Sequence, residues 1–205
     1  MSFPLISDAY PLILASASPR RRELLTQIRL PFRVAPSHVD EEEIADEPTE
    51  MCRRLAENKA IQVHSPADPS WILGADTIVV IGDRVLGKPR DESNAGEMLW
   101  LLAGKEHAVI TGFSILDPSG IVAHSEAVVT VVRFKPLNRA EIAAYIQTGE
   151  PFGKAGAYAI QEIGAFMVES ISGSYTNVVG LPVCAVIKAL IRVGAIRMFP
   201  QNPSQ

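Results

Sequence analysis

An apolar segment that leads directly into an arginine-rich helix start constrains the fold of this chain more than any other feature. Leu12–Ala15 has the pattern of a short buried strand, and Ser18 and Pro19 are residue types preferred at a helix N-cap and at the first helical position. Arg20–Arg22 then occupy the first helical turn, where the helix dipole is already positive. Free backbone amides and guanidinium groups crowded together predict a phosphate-binding site; the alternative is a solvated basic helix start.

The remainder of the chain alternates helix and strand patterns. These patterns predict helices over 20–28, 49–62, 92–102, 138–147 and 182–193, and strands over 12–15, 32–35, 71–81, 84–86 and 165–171, with two or three further strands within 107–134. We therefore expect an α/β fold with an antiparallel component. Because no linker or change of composition divides the chain, the prediction is one domain over 1–205 with loose ends at 1–10 and 198–205.

Charge and hydropathy exclude several classes of protein. A formal net charge of −4 argues against a nucleic-acid-binding protein held by bulk electrostatics, so a local cluster would have to hold any phosphate. No apolar run approaches the roughly 18 residues of a membrane span, and we expect a cytoplasmic protein without a membrane partner. Cys52 and Cys184 have no metal-binding or disulfide spacing, and both are predicted to be small core residues.

Asp76 is the first candidate for chemistry outside the arginine segment. It interrupts the apolar run Ile72–Ile81, and a carboxylate inside such a strand needs either a partner or a chemical purpose. A metal ion or a catalytic water would supply that purpose. The alternative is an exposed aspartate at a bend where Gly74 breaks the strand.

Lys88 is the second candidate. The segment Gly82–Lys88 has the glycine and lysine spacing of a Walker A loop, but Pro89 stands where that loop needs Ser or Thr. The spacing instead predicts a β-hairpin that brings Lys88 near the strand of Asp76. An exposed loop lysine is the alternative.

Two further segments carry groups suited to a nucleotide or a metal. The acidic run Asp40–Glu43 has the composition of a solvated surface, although one or two of its carboxylates could bind a divalent cation. The segment Phe152–Gln161 is rich in small residues, which let a backbone approach a ligand, and its Lys154 and Gln161 offer hydrogen-bond donors.

These groups favour one class of chemistry. The four histidines form no zinc-binding pattern, and there is no G-x-S-x-G motif of a serine hydrolase. An arginine-rich helix start, two or three lysines and several carboxylates suit metal-assisted attack on a polyphosphate better than covalent catalysis.

Six ordered segments resemble the Maf family of nucleoside triphosphate pyrophosphatases. They are Ala15–Arg21, Leu55–Ala60, Gly74–Thr77, Gly87–Pro89, Lys154–Tyr158 with Gln161, and Gly173–Tyr175 with Val179–Pro182. The resemblance covers nearly the whole chain, from about residue 12 to about residue 190.

The resemblance implies an elongated, two-lobed fold like that of the inosine-triphosphate pyrophosphatases, with a mixed twisted sheet flanked by helices and a central cleft. It also implies hydrolysis of a nucleoside triphosphate to the monophosphate and pyrophosphate with Mg²⁺ or Mn²⁺, commonly in a homodimer. The competing hypothesis is an interaction protein that inhibits septum formation, the role for which the family is named.

Residue roles follow from the resemblance position by position. It implies that Asp76 is a general base or metal ligand and that Glu41 is a second metal ligand. The residues that it places on the substrate are Ser16, Arg20, Arg21, Thr77, Lys154 and Gln161, with Lys59 and Lys88 as further catalytic groups and Gln161 helping to read the base.

The resemblance also indicates a branch and two departures. Arg20 and Arg21 after Pro19, together with Ala75–Thr77, look like the branch that acts on dTTP and UTP. The family usually has Asp where this chain has Gly153, and Gly is common where it has Ala159. A missing carboxylate beside the following lysine would affect how that lysine is held.

Overall fold

Residues 3–37, 39 and 47–200 are described by the structure, a computed structural model of the chain. In chain order the elements are β1 Leu12–Ala15, α1 Pro19–Gln27, β2 Phe32–Val34, α2 Pro48–Val63, β3 Ile72–Ile81, β4 Arg84–Leu86, α3 Glu92–Leu102, β5 Glu106–Leu116, β6 Val122–Phe134, α4 Arg139–Gln147, β7 Val168–Ser172, α5 Tyr175–Val179 and α6 Val183–Arg192, with short 3-10 helices at Ala155–Ala157 and Ile163–Met167.

The strands of the described part form one mixed sheet of seven strands. Its order is β2-β1-β3-β5-β6-β7, and β4 pairs with β3 beside this path. β1 is parallel to both β2 and β3, whereas β4 is antiparallel to β3 and β7 is antiparallel to β6. The α/β prediction with an antiparallel component is therefore confirmed.

The described residues fall into two units. The first takes its residues from 1–76, 111–128 and 180–205, and the second consists of 77–110 and 129–179. The division cuts β3 between Asp76 and Thr77.

In the first unit, helix α2 packs against the sheet at two glycines. A Cβ atom on Gly74 of β3 would overlap the carbonyl oxygen of Ala56, and one on Gly112 of β5 would overlap the backbone of Cys52. Because these strands present only hydrogen atoms there, the helix backbone lies directly on the sheet. Next to this contact lies a cluster of buried apolar side chains, namely Ile13, Ala15, Ala60, Ile72 and Leu116.

In the second unit, a buried histidine belongs to an aromatic cluster. His107 is 3% exposed, its ring meets that of Phe134 edge to face at a centroid distance of 4.9 Å, and its Nε2 lies 2.9 Å from the Tyr158 hydroxyl. Burial lowers the pKa of His107 to about 4 and raises that of Tyr158, so both side chains are neutral near pH 7.

The buried histidine makes stability depend on pH. The unfolded chain protonates His107 near pH 6.5, but the folded chain does so only near pH 4, so the unfolded state binds more protons in between and stability falls as the pH falls through this window. We expect wild type to lose about 2 kcal/mol more unfolding free energy between pH 7 and pH 5 than His107→Phe does. Urea unfolding of both proteins at the two pH values measures the difference. Equal losses would show that His107 does not contribute to the pH dependence.

Two local predictions were wrong, and a third was confirmed only in part. Ser18 is the N-cap residue of α1 and Pro19 begins the helix as predicted, but the Ser18 side chain makes no capping bond; its backbone N–H donates to the Ser16 hydroxyl at 3.3 Å instead. The strand predicted over 165–171 begins only at Val168, because residues 163–167 form a 3-10 helix. Cys184 is exposed, since it lies outside the face of α6 that buries residues 186, 189 and 190, whereas Cys52 is buried as predicted.

In the part of the chain that the structure describes, no helix has both the length and the apolar character needed to cross a membrane.

Candidate active site

The arginine-rich helix start forms a buried hydrogen-bonded cluster in the first unit. Arg21 Nε donates to the carbonyl oxygen of Gly180 at 2.7 Å, and its Nη1 donates to Ser16 Oγ at 3.0 Å. Ser16 and Arg21 are only 6% and 7% exposed, while Arg20 is half-buried and Arg22 is exposed. The three consecutive arginines therefore have three different environments.

The hydrogen bonds around Ser16 determine how its hydroxyl can bind a ligand. Its oxygen accepts from Arg21 Nη1 and from the backbone N–H of Ser18, which uses both acceptor positions of a hydroxyl. Its proton is then the group left to bind a ligand, and a donor of this kind suits an anionic oxygen.

Asp76 and Lys59 form a buried ion pair in the same unit. Lys59 Nζ lies 2.5 Å from Asp76 Oδ1, and the two side chains are 11% and 9% exposed. Asp76 is therefore not an exposed aspartate at a strand bend, and that alternative is wrong. Lys59 supplies the partner that a carboxylate inside an apolar strand needs, and the pair adds no net charge to the interior.

The sheet brings the Asp76 pair and the Ser16 cluster to the same region of the first unit. In the order β2-β1-β3, β1 is the central strand. The chain continues from β1 to β2 on one side of it, and β3 then lies on its other side, so the direction of the strand order reverses at β1. Ligands of parallel α/β sheets bind outside the carboxyl ends of strands at such a reversal. Ala15, the last residue of β1, pairs with Gly74, so Ser16 leaves the sheet beside the part of β3 that leads to Asp76.

The other predicted groups among the described residues lie in the second unit. Thr77 is half-buried on β3, and Lys88 is exposed just beyond β4. The carbonyl of Gly87 accepts from the backbone N–H of Gly156 at 3.0 Å, which joins the strand end at Lys88 to the segment that begins at Lys154. Gly156 has a φ of 69°, and a Cβ atom there would lie 2.8 Å from the Val79 side chain, so this close approach requires glycine.

Lys154 and Gln161 are held in contrasting ways. Lys154 Nζ donates to the carbonyl of Glu150 at 2.6 Å and lies 3.9 Å from a carboxylate oxygen of Glu162, with its side chain 12% exposed. Gly153 has a φ of 74°, and a Cβ atom there would meet no atom within 4 Å. Glu162 therefore supplies a carboxylate to Lys154 in a chain that has none at position 153. The amide nitrogen of Gln161 is buried and has no hydrogen-bond partner among the residues with a described structure.

Comparison with known proteins places this arrangement in a family. The family model for Maf-like proteins matches residues 11–193. The chain belongs to the Maf family. It is 50% identical to the dTTP/UTP pyrophosphatase of Syntrophotalea carbinolica over 93% of this chain and 88% of that protein. It is also 50% identical to the proteins of the same name from Geobacter sulfurreducens, over 90% of this chain and 97% of that protein, and from Symbiobacterium thermophilum, over 89% and 94%.

In the described part of this Maf chain, one carboxylate, that of Asp76, is suited to bind a divalent cation. Within residues 3–37, 39 and 47–200, no group of three or more His, Cys, Asp or Glu side chains could hold a metal ion by itself. Mg²⁺ is usually bound through one or two carboxylates together with substrate phosphate oxygens, and Asp76 can provide one such carboxylate. Glu41, the other predicted metal ligand, lies outside the described residues.

Two backbone carbonyl groups of this Maf chain hold predicted site residues, although the sequence does not predict either contact. The carbonyl of Gly180 binds Arg21 from 159 residues away, and Glu150 binds Lys154 through its backbone carbonyl. Gly180 lies within one of the segments that carry the resemblance, but no residue pattern shows where a carbonyl oxygen points. Glu150 has no local signal of its own.

Proposed function

We propose that this Maf-family chain hydrolyses nucleoside triphosphates to the nucleoside monophosphate and pyrophosphate, with dTTP and UTP as favoured substrates. The observation that carries the proposal is the buried Lys59–Asp76 pair on β3, together with the Ser16–Arg21 cluster that begins just past the carboxyl end of β1, the parallel neighbour of β3. The 50% identity to proteins named dTTP/UTP pyrophosphatase over about nine-tenths of the chain supports the reaction and the preferred bases.

The first unit carries the proposed chemistry. The Ser16 hydroxyl and the guanidinium groups of Arg20 and Arg21 bind the triphosphate, which brings negative charge to the positive end of α1. Lys59 holds the Asp76 carboxylate in place and offsets charge as the phosphoryl group reacts.

Hydrolysis requires a water molecule to lose a proton as it attacks. In the proposed step, water oxygen forms a bond to the α-phosphorus while the bond to the bridging oxygen of the leaving pyrophosphate breaks. Asp76 accepts the water proton or, as a metal ligand, orders the reacting groups. Mg²⁺ or Mn²⁺, held by Asp76 and Glu41, would neutralise phosphate charge and polarise the reacting phosphoryl group.

The family resemblance is the basis for four further proposed nucleotide contacts, whose residues belong to the second unit. Thr77, Lys88 and Lys154 supply further donors, and the buried Gln161 amide supplies a donor for the base. The proposal also includes a homodimer and a cytoplasmic location, where free nucleotide pools would supply substrate.

Pyrophosphate release from purified protein tests the function directly. We expect release that requires Mg²⁺ or Mn²⁺ and is fastest with dTTP and UTP, when these are compared with CTP, 7-methyl-GTP and ITP at equal concentration. Fastest release from 7-methyl-GTP or ITP would contradict the base assignment and leave the reaction standing. No release from any of them would contradict the reaction itself.

A further inference from the structure

The segment 150–164 carries two of the proposed nucleotide-binding residues but little regular structure. Between α4 and β7 the chain forms only the short 3-10 helices Ala155–Ala157 and Ile163–Met167. Backbone hydrogen bonds from Gly156 to Gly87 and from Ala157 to Lys154 hold the first part of the segment, and side-chain contacts hold the part beyond it. Glu150 lies at the start of the segment, directly after Gly149, whose φ of 76° turns the chain out of α4.

The carboxylate of Glu150 binds the far end of this segment. One of its oxygens accepts the backbone N–H of Gly164 at 2.8 Å, and the other accepts the backbone N–H of Ile163 at 3.0 Å. The backbone carbonyl of Glu150 also accepts from Lys154 Nζ at 2.6 Å. One residue thus holds both the lysine near the beginning of the segment and the two amides near its end.

Tyr145 fixes the Glu150 carboxylate from the core of the unit. This tyrosine is 2% exposed, and its hydroxyl donates to Glu150 Oε1 at 2.9 Å while accepting from the backbone N–H of Ala159 at 3.3 Å. Burial, together with the carboxylate, raises the pKa of Tyr145, so its hydroxyl keeps the proton that it donates. A Cβ atom on Gly164 would lie 2.6 Å from the Ala159 carbonyl oxygen and 2.7 Å from the Tyr145 hydroxyl, which leaves no room for displacement there.

These contacts restrict the movement of Gln161, which lies between the anchored positions 159 and 163. Its amide nitrogen is buried and finds no hydrogen-bond partner in the described part of the chain, although a buried donor without a partner is unfavourable. A segment free to move would turn the amide toward water or a carbonyl oxygen. Because residues 154, 159, 163 and 164 are all tied to Glu150 or Tyr145, the amide is held as a ready donor.

We propose that Glu150 is a positioning residue for base recognition, whose carboxylate holds the segment around Gln161 in the arrangement that selects a pyrimidine with a carbonyl group at position 4. A buried N–H donor pairs with that carbonyl oxygen in uracil and thymine, whereas cytosine presents an amino group there and would leave both donors unpaired. This inference rests on the proposed function, because it assumes that the chain binds a pyrimidine nucleotide.

The test compares Glu150→Gln with wild type in two measurements. The first is the ratio of the dissociation constants of CMP and UMP; these monophosphates carry the base but no anhydride bond, so the ratio is independent of hydrolysis. The second is hydrogen exchange at the amides of Ala159, Ile163 and Gly164. A glutamine has one acceptor oxygen and one NH₂ group, so it cannot accept from both amides and the Tyr145 hydroxyl in the present geometry.

We expect Glu150→Gln to lower the CMP-to-UMP ratio by about tenfold or more and to speed exchange at all three amides, with the fold retained. Glu169→Gln is the matched control, since Glu169 is a half-exposed glutamate of the same unit that pairs with Arg133 at 2.8 Å. We expect that variant to keep both the ratio and the exchange rates of wild type.

Several results would overturn the inference. Faster exchange with an unchanged ratio would reduce Glu150 to a structural role, and a wild-type ratio near one would exclude base selection of this kind. If Glu150→Gln does not fold, Tyr145→Phe tests the same contacts, because it removes the hydroxyl that fixes the carboxylate; an unchanged ratio in that variant would also contradict the inference. Failure of wild type to release pyrophosphate would contradict the proposed function instead, and the monophosphate ratio would still decide the role of Glu150.

Discussion

The Asp76→Asn variant is expected to bind substrate but to turn it over at least about 10²-fold more slowly than wild type, the scale of a lost general base. Asparagine has nearly the shape of aspartate and can still accept from Lys59 through its side-chain oxygen, but it cannot take a proton from water. Its weaker binding of a divalent cation acts in the same direction. Single-turnover pyrophosphate release at saturating UTP and Mg²⁺ measures the effect.

The same substitution leaves the buried Lys59 ammonium without a compensating charge, which by itself destabilises a protein. The double variant Lys59→Gln/Asp76→Asn separates this effect from chemistry, since it removes both charges. We expect it to recover stability lost by Asp76→Asn and to recover no turnover. Asp83→Asn, at an exposed turn position, is a control for the same chemical change. A folded Asp76→Asn variant with wild-type turnover would exclude Asp76 from both proposed roles.

Local sequence patterns determine most of the fold of the first unit. The apolar run Leu12–Ala15, the Pro19 helix start and the apolar run of β3 each appear in the structure at or within a residue of their predicted bounds. Short-range rules succeed here because strand burial and helix starts depend on residues only a few positions apart. The predicted start of α3 at Glu92, in the second unit, is another such case, since the Asp91 carboxylate caps it by accepting the N–H of Asn94 at 2.7 Å.

The contacts that position the candidate site are non-local, and local patterns do not contain them. The apolar run around Asp76 identified that residue and the resemblance added Lys59, but their pairing depends on how α2 lies on β3. The late start of β7 has a similar origin: the amides of Ile163 and Gly164 bind Glu150, so residues that alternate like a strand form a 3-10 helix instead. Tertiary hydrogen bonds of this kind outweigh local strand preference.

The Gly74→Ala variant is expected to lose at least about 3 kcal/mol of unfolding free energy, the upper end of the usual cost of overpacking. The added methyl group would overlap the Ala56 carbonyl oxygen and lie 3.0 Å from the Ala60 side chain, and neither the strand nor the helix backbone can yield without breaking its own hydrogen bonds. Guanidinium or urea unfolding measures the loss.

The position of Gly74 makes this a test of the site as well as of the fold. It lies two residues before Asp76, and Ala56 lies three residues before Lys59, so any displacement of α2 that admits the methyl group also moves Lys59 away from Asp76. We expect the part of Gly74→Ala that remains folded to release pyrophosphate more slowly than wild type.

Gly96→Ala is the matched control for Gly74→Ala. Gly96 lies inside α3, where a Cβ atom would make an ordinary contact of 3.5 Å with Ile146, so the same added methyl group is expected to raise stability by up to about 1 kcal/mol, as alanine does in a helix interior. Opposite signs at the two glycines would show that close helix–sheet approach, and not the loss of glycine as such, fixes the position of Lys59. Unchanged stability in Gly74→Ala would contradict direct packing of the α2 backbone on β3, and with it the account of how the Lys59–Asp76 pair is held.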